Sequence, residues 1–197
     1  PGPVLEIGSG RGELLNLFRE AKIQSYGVEL DAAMVERSRA LGLAVLYEDG
    51  IEHLRKQVSG SLGGVIAIQV VEHLPFPVLR DFLELCRKKV AKGGRIIVET
   101  IDTSSLIALS HNYFRDPTHT APLHPETLRY LFELCGLEVL EVRKLSPFPA
   151  GFELQKIAAE STEPALKGMV ETENENIRKL NELLYGHQDY SIIATVS

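Results

Sequence analysis

Short apolar runs alternate along this chain with segments in which apolar residues recur every three or four positions. The first pattern is typical of buried strands and the second of amphipathic helices. Apolar runs predict strands within residues 4–7, 25–30, 43–47, 63–71, 95–101, 137–145 and 190–197. Helical periodicity predicts helices within residues 14–21, 32–41, 51–58, 78–90 and 125–135. The run 63–71 is apolar almost throughout, as expected of a central parallel strand covered on both faces.

Capping and turn residues mark several helix boundaries. Asp31 is placed to cap the second helix, because its carboxylate accepts hydrogen bonds from the free N–H groups of a first turn. Pro125 stands at a favoured first helical position, and Gly136 ends that helix. Gly93 and Gly94 are expected to close the helix over 78–90.

Repeated strand–helix units predict an α/β fold with a doubly wound, mostly parallel sheet of seven strands. We expect one domain over residues 1–197, interrupted by a helical insertion at about 147–187 before the last strand. The helix of this insertion carries an apolar stripe. The stripe is expected to cover a core face rather than to recruit a partner. Its residues are Val170, Ile177, Leu180 and Leu184.

The composition is that of an ordinary globular domain, and it bears on the partners and the cellular compartment that we expect. The 197 residues are 44% hydrophobic and 24% charged, and the net charge of −6 makes a nucleic-acid partner unlikely. No apolar run approaches a membrane span, and Cys86 and Cys135 lie in apolar helical patterns. We therefore expect a cytoplasmic protein with core thiols. Because the sequence starts at Pro1, almost inside the first strand, we also expect further residues upstream.

The first predicted strand runs into a turn with glycine at alternate positions, Gly8, Gly10 and Gly12. Ligands of open α/β sheets bind beyond the carboxyl ends of the strands, where this turn lies. The dinucleotide pattern G-x-G-x-x-G would need a third glycine at position 13, but Glu13 stands there. A carboxylate is unfavourable beside a pyrophosphate, so the turn favours a ligand without phosphates.

Three carboxylates follow or end successive strands. Glu6 precedes the glycine turn, Glu29 ends the second strand, and Asp49 follows the third. A carboxylate at the position of Glu29 accepts both hydroxyls of a ribose, and Asp49 could accept from an adenine amine. The alternative is structural: Glu6 and Glu29 would pair with Arg or Lys, and Asp49 would only form a turn.

At these residues the chain resembles the class I S-adenosylmethionine-dependent methyltransferases. The family's acidic–x–G–x–G–x–G pattern is matched by "EIGSGRG", and other segments are matched by "YGVELD", "YEDGI", "IQVVEHLP" and "KGG". The last strand is similar to the family's antiparallel seventh strand. Glu stands at the first acid and at the ribose acid, where Asp is common. Gly63-Gly64 replaces a frequent Phe-Asp.

The resemblance implies S-adenosyl-L-methionine as the cofactor. Glu6 would receive the methionine ammonium, Glu29 the ribose and Asp49 the adenine amine, while Leu30 and Ile51 would flank adenine. Gln69 would line the sulfonium end. The implied cofactor site comprises Glu6, Gly8, Ser9, Gly10, Glu29, Leu30, Asp49, Gly50, Ile51 and Gln69.

An acceptor pocket is expected after the fifth strand, in "NYFRDPTHTAPLHPETL". His119 is the candidate acid or base, and Asp116, three residues earlier, is expected to orient it. His73, beside the end of the fourth strand, is either a helix-start residue or a second proton-transfer group. His124 is expected only to precede a helix. The D-P-T-H and H-P-E-T-L segments are similar to methyltransferases associated with cell-surface glycan biosynthesis.

The function expected is methyl transfer to a small-molecule or glycan acceptor, at oxygen. The alternatives are a methyltransferase acting on protein or nucleic acid, and an S-adenosylmethionine-binding domain without catalysis. No metal is expected, because the cofactor needs no Lewis acid. His111, Asp116, His119 and His124 also lack the spacing of a zinc site.

Overall fold

The computed structural model describes residues 2–158 and 163–197. Its seven strands form one sheet in the order β3-β2-β1-β4-β5-β7-β6. All neighbours from β3 to β5 pair in parallel, and β7 lies antiparallel between β5 and β6. The predicted doubly wound sheet with an antiparallel last strand is therefore confirmed. The strands are β1 Val4–Ile7, β2 Ser25–Glu29, β3 Val45–Tyr47, β4 Leu62–Ile68, β5 Val90–Ile101, β6 Glu138–Leu145 and β7 Asp189–Thr195.

Helices follow the strands in the predicted order. Asp31 caps α2 as predicted, because its Oδ1 accepts from the N–H groups of Ala33 at 2.8 Å and Met34 at 3.1 Å. A 3₁₀ turn, Val71–His73, follows β4, and a π-helical segment, Ala108–Tyr113, follows β5. The helices are α1 Glu13–Glu20, α2 Ala32–Ala40, α3 Gly50–Lys56, α4 Phe76–Lys89, α5 Pro125–Leu134 and α6 Pro164–Leu184.

The core lies on both faces of the central strands β1, β4 and β5. Val65, Ile66 and Ala67 are consecutive residues of β4 and all are buried, so both faces of the strand are covered, which explains the continuous apolar run predicted there. The cysteines are free and buried in helix-packing positions, as expected. None of the described helices is long and apolar enough to cross a membrane.

The predicted closure of α4 by Gly93 and Gly94 is wrong. The helix ends at Lys89, and Val90, buried and paired with Leu62, already begins β5. Gly93 and Gly94 lie inside β5 instead. A Cβ on Gly94 would stand 2.7 Å from the Gly63 carbonyl oxygen, so the close approach of two strands requires glycine there.

The apolar stripe predicted to cover the core is also a wrong prediction. No residue of α6 is buried, and Leu180 is 44% exposed. The neighbour of α6 is the preceding chain: the Asn174 side chain bonds the backbone of Ile157, and Asn181 bonds that of Leu154. These amide–backbone bonds hold the helix against residues 154–157, which form neither helix nor strand, and at the end of the helix the Leu184 carbonyl accepts from Ser105 Oγ at 3.4 Å. Residues 159–162 of the predicted insertion lie outside the described residues.

Strand order reverses between β1 and β4, the neighbours at the centre of the sheet. Ligands of open α/β sheets bind in the crevice beyond the carboxyl ends of the strands at such a reversal. The glycine turn after β1 and the 3₁₀ turn after β4 flank this crevice. The topology thus places the candidate site between these two turns.

Candidate active site

The glycine turn after β1 uses its glycines for two different purposes. Gly10 has φ +52°, and apart from its chain neighbours no described residue has an atom within 4 Å of where a Cβ would be, so the space above it is open. Gly12 has φ +80°, but a Cβ there would stand 2.4 Å from the Leu43 Cδ1 atom. Gly12 therefore serves packing against the α2–β3 side, whereas Gly10 leaves room for a ligand.

The Glu29 carboxylate is held at the end of β2 by backbone donors. Its Oε2 atom accepts from the N–H of Gly10 at 2.8 Å, and Oε1 accepts from Leu30 at 2.7 Å and Asp31 at 2.9 Å. No Arg or Lys pairs with it in the described part of the chain, so the structural alternative does not hold for Glu29. A carboxylate fixed in this way retains lone pairs on the side facing the crevice.

The Glu6 carboxyl group is buried beneath the glycine turn without a partner. Glu6 is 5% exposed, and its Oε2 atom has no hydrogen-bond partner among the described residues. Burial raises the pKa of Glu6 to about 8, and the charges of Glu13 and Glu29 add to the effect. Arg11 pairs with Glu13 at 2.9 Å instead. A buried acid that has no protein cation among residues 2–158 and 163–197 is suited to a cationic ligand group.

A first cleft of about 330 Å³ lies at the carboxyl ends of β1 and β2. Glu29 lines it, whereas the predicted cofactor residues Glu6 and Gly10 lie next to lining residues but do not line it themselves. Asp49 is also the N-cap of α3, since Glu52 donates its N–H to Asp49 Oδ1 at 2.9 Å, which leaves Oδ2 for a ligand. The Phe82 ring closes part of the apolar wall. Of the predicted cofactor residues, the cleft brings together Gly8, Glu29, Leu30, Asp49, Gly50, Ile51 and Gln69.

Ser9 does not line this cleft, contrary to the sequence-based expectation. Its side chain is 4% exposed and packs against Gly27, where a Cβ would stand 2.5 Å from the Ser9 Oγ atom. The Ser9 N–H is already donated to the Val28 carbonyl at 3.1 Å. The buried Ser9 Oγ atom has no hydrogen-bond partner among the residues that the structure describes.

A second cleft, of about 570 Å³, adjoins the first. The two clefts share Gln69 and His73, which form the wall between them. Gln69 has φ +52°, an uncommon conformation for this residue type, and its side-chain amide donates to Asp189 Oδ1 at 3.0 Å. The other residues of the second cleft are Glu72, Ile101, Asn112, Arg115, Asp116, Pro117 and His119.

His119 is oriented by a carbonyl group and not by Asp116. Its Nδ1 atom lies 2.6 Å from the Tyr113 carbonyl oxygen, so Nδ1 carries the proton and Nε2 keeps a lone pair. The Tyr113 ring stacks on the imidazole, with centroids 4.9 Å apart. The prediction that Asp116 orients His119 is therefore wrong, because the Asp116 carboxylate accepts its hydrogen bonds from Thr118 and the Tyr113 carbonyl takes the imidazole Nδ1–H.

Asp116 acts on His73 instead. Its carboxylate accepts from the Thr118 N–H at 2.8 Å and from Thr118 Oγ1 at 2.6 Å, and these bonds lower the pKa of Asp116. Because the hydroxyl proton is donated to Asp116, Thr118 Oγ1 accepts from His73 Nδ1 at 2.9 Å. His73 is thus held with Nε2 free, like His119. His124 caps α5, accepting from the Glu126 N–H at 3.3 Å, as expected for a helix-start residue.

Glu72 is a site residue that the sequence analysis missed. It is 1% exposed; its Oε2 atom accepts from Thr100 Oγ1 at 2.9 Å, and Oε1 has no partner within the described ranges. Burial raises the pKa of this carboxyl group. The available signal was the pair Glu72-His73 directly after the end of a central strand, where functional side chains collect.

Comparison with known proteins places the chain in a family. Residues 1–142 match the methyltransferase domain family, and the chain belongs to it. The crystal structure of an S-adenosylmethionine-dependent methyltransferase from Archaeoglobus fulgidus is 36% identical, with a TM-score of 0.90. That match covers 98% of this chain and 86% of the other. Fold and cleft therefore define a class I S-adenosylmethionine-dependent methyltransferase domain, whose cofactor is S-adenosyl-L-methionine.

Two less similar proteins are named for different acceptor atoms. The ubiquinone biosynthesis O-methyltransferase of Xanthomonas oryzae pv. oryzae is 25% identical over 113 residues, covering 54% of this chain and 46% of that protein. The chain spans less than half the length of the curated relatives it matches. Phosphoethanolamine N-methyltransferase 2 of Haemonchus contortus shares the fold, with a TM-score of 0.67 at 15% identity over 98% of this chain and 48% of that chain. The fold alone therefore does not select the acceptor atom.

Proposed function

We propose that this protein transfers the methyl group of S-adenosyl-L-methionine to a hydroxyl oxygen of a small-molecule or glycan acceptor. The observation that carries the proposal is the wall of Gln69 and His73 shared by the two clefts. A cofactor in the first cleft would present its sulfonium methyl group at this wall, and the acceptor would approach from the second cleft. The S–CH₃ bond breaks, the O–CH₃ bond forms, and S-adenosylhomocysteine and one proton leave.

The second cleft supports a hydroxyl acceptor. Methyl transfer to a hydroxyl needs a group that takes its proton, and the His119 Nε2 lone pair has no partner in the described residues. Asn112, Arg115 and Asp116 give the cleft polar groups suited to a sugar or another polyol. The 25% identical relative named as an O-methyltransferase agrees with oxygen as the acceptor atom.

The two rival functions fit the clefts less well. A nucleic-acid acceptor calls for a basic surface, but the chain carries a net charge of −6, and Arg115 is the one Lys or Arg among the residues that line the second cleft. A purely cofactor-binding domain would need no space beyond the sulfonium end. The open cleft of about 570 Å³ beside Gln69 favours a transferase.

The proposed function is tested by incubating the full-length protein with methyl-labelled S-adenosylmethionine and fractionated cell extract. We expect the label in small-molecule or glycan fractions, as an ether that resists mild base. Label in the protein or nucleic-acid fraction would instead support the macromolecular rival. Release of S-adenosylhomocysteine with no labelled product, or no turnover at all, would contradict methyl transfer to an acceptor.

The buried Glu6 predicts a pH-dependent affinity for S-adenosylhomocysteine, which carries the same ammonium group as the cofactor. Without ligand, Glu6 stays protonated below its pKa of about 8. A nearby ammonium favours the carboxylate, so binding should expel a proton, and the Kd should fall as pH rises from about 5 to about 7.5. Calorimetry in buffers of different ionisation enthalpy measures that proton.

Glu6→Gln should remove the proton release, whereas Glu20→Gln on the exposed side of α1 should keep it. The same shift makes the ligand-free protein lose stability with rising pH. Because the native pKa of about 8 exceeds the ordinary value of 4.5, the folded state binds more protons between these values. An unchanged proton count in Glu6→Gln would show that the ammonium lies elsewhere.

A further inference from the structure

Three side chains of metal-ligand type converge in the second cleft. Glu72, His73 and His119 each offer one ligand atom, and these atoms all lie within 4.8 Å of one another. Glu72 and His73 come from the 3₁₀ turn after β4, and His119 comes from the loop before α5. Two imidazoles and one carboxylate form a common ligand set for divalent transition metals with open coordination positions.

In each of these three side chains, the nitrogen or oxygen atom that is not offered to the metal already forms a hydrogen bond. His119 Nδ1 donates to the Tyr113 carbonyl at 2.6 Å, and His73 Nδ1 donates to Thr118 Oγ1 at 2.9 Å. Glu72 Oε2 accepts from Thr100 at 2.9 Å. Metal-ligating histidines characteristically hold their other ring N–H on a carbonyl or a similar acceptor, which fixes the tautomer and the ring orientation. The remaining atoms are Nε2 of each histidine and Oε1 of Glu72.

The Glu72 Oε1 atom gives independent support for a ligand. Glu72 is 1% exposed, and no residue in the described part of the chain forms a hydrogen bond with this Oε1 atom. No Lys or Arg forms an ion pair with Glu72 within the residues that the structure describes. An unpaired buried carboxyl oxygen is costly, and coordination to a cation removes that cost.

We propose that Glu72, His73 and His119 bind one divalent transition-metal ion with open positions facing the second cleft. The catalytic part rests on the proposed function. There the acceptor hydroxyl binds the ion, whose charge lowers the pKa of the hydroxyl, and its proton passes to solvent. The resulting oxygen attacks the methyl group as the S–CH₃ bond breaks. A ligating His119 Nε2 takes no proton, so the ion replaces the imidazole as the activating group.

The binding test uses the full-length protein, stripped with a chelator and titrated with Co²⁺ while its visible absorption is recorded. We expect saturable binding of one Co²⁺ per chain, displaced by Zn²⁺. Glu72→Gln and His119→Ala should each weaken binding by at least about tenfold. His111→Ala, an exposed histidine outside the cluster, should bind as the unaltered protein does.

S-adenosylhomocysteine affinity, measured on every variant, shows that the variant is folded. Absence of saturable Co²⁺ binding in protein that binds S-adenosylhomocysteine would overturn the site. Binding that survives both Glu72→Gln and His119→Ala would also overturn it. Equal rates of methyl transfer by metal-free and metal-loaded protein would show that the ion has no part in catalysis. His119 would then be the group that takes the proton. Co²⁺ binding without any methylated product would support the site and contradict the proposed function.

Discussion

Replacing His119 by alanine is expected to lower turnover by about 10²–10⁴-fold, the scale of losing a group that activates the acceptor. The expectation holds whether Nε2 takes the proton or binds an ion, because either role depends on the same lone pair. Affinity for S-adenosylhomocysteine should stay unchanged, since His119 lines the second cleft and not the first. Turnover with a saturating acceptor and calorimetry with S-adenosylhomocysteine measure the two quantities.

His111→Ala is the matched control for this variant. His111 is exposed, bonds Ser110 through its ring nitrogen at 2.8 Å, and stands outside the second cleft. It should retain full turnover. The turnover of Asp116→Asn should lie between those of His119→Ala and His111→Ala, because Asp116 acts on His73 only through the hydroxyl of Thr118. Full turnover in His119→Ala would leave His119 with a packing role against Tyr113 and make His73 the residue to test.

Much of the fold follows from local pattern, because each strand and helix carries its own periodicity. The cap at Asp31 was predictable, since N-capping depends only on neighbouring residues. The end of α4 was not, because Val90 leaves the helix to pair with Leu62, a contact that local sequence does not contain. The two glycines after Val90 resemble a helix C-terminal signal. In the structure, Gly94 is required instead by its close approach to Gly63 on the neighbouring strand.

The prediction that the apolar stripe of α6 covers the core was wrong for a related reason. Periodicity shows that a helix has an apolar face, but it does not show what covers that face. In this protein the helix is anchored by Asn174 and Asn181 to residues 154–157, and these two asparagines carry no apolar signal.

The parts of the candidate site that depend on neighbouring strands could be predicted from the sequence, and the parts that join distant segments could not. Glu29 ends β2 and Asp49 follows β3, and these two strands are parallel neighbours, so the meeting of both residues in one cleft follows from the parallel sheet. The cluster of Glu72, His73 and His119 joins segments that are far apart in the chain. The spacing of the histidines in the sequence therefore does not predict that they meet. The Asp116–His119 pair was predicted from closeness in sequence, but the Asp116 carboxylate accepts from the N–H and the hydroxyl of Thr118 instead.

The second large effect is expected at Gly10, where valine should raise the Kd for S-adenosylhomocysteine by at least about a thousandfold. Apart from its chain neighbours, a valine Cβ meets no described residue there, so any loss of affinity must come from the ligand's space or from backbone strain at φ +52°. The N–H of Gly10 also fixes Glu29 Oε2 at 2.8 Å, so displacement of the turn would disturb the ribose acid as well.

Gly60→Val separates the two causes. Gly60 has φ +68°, an equally open Cβ position, and a place in the turn before β4, outside the first cleft. Both variants share the backbone strain, but only Gly10→Val fills the space above the cleft. We expect both to unfold at similarly lowered temperatures, while Gly60→Val binds S-adenosylhomocysteine as the unaltered protein does. Retained affinity in Gly10→Val would mean that the ligand does not pass over the glycine turn, and the first cleft would then need another occupant.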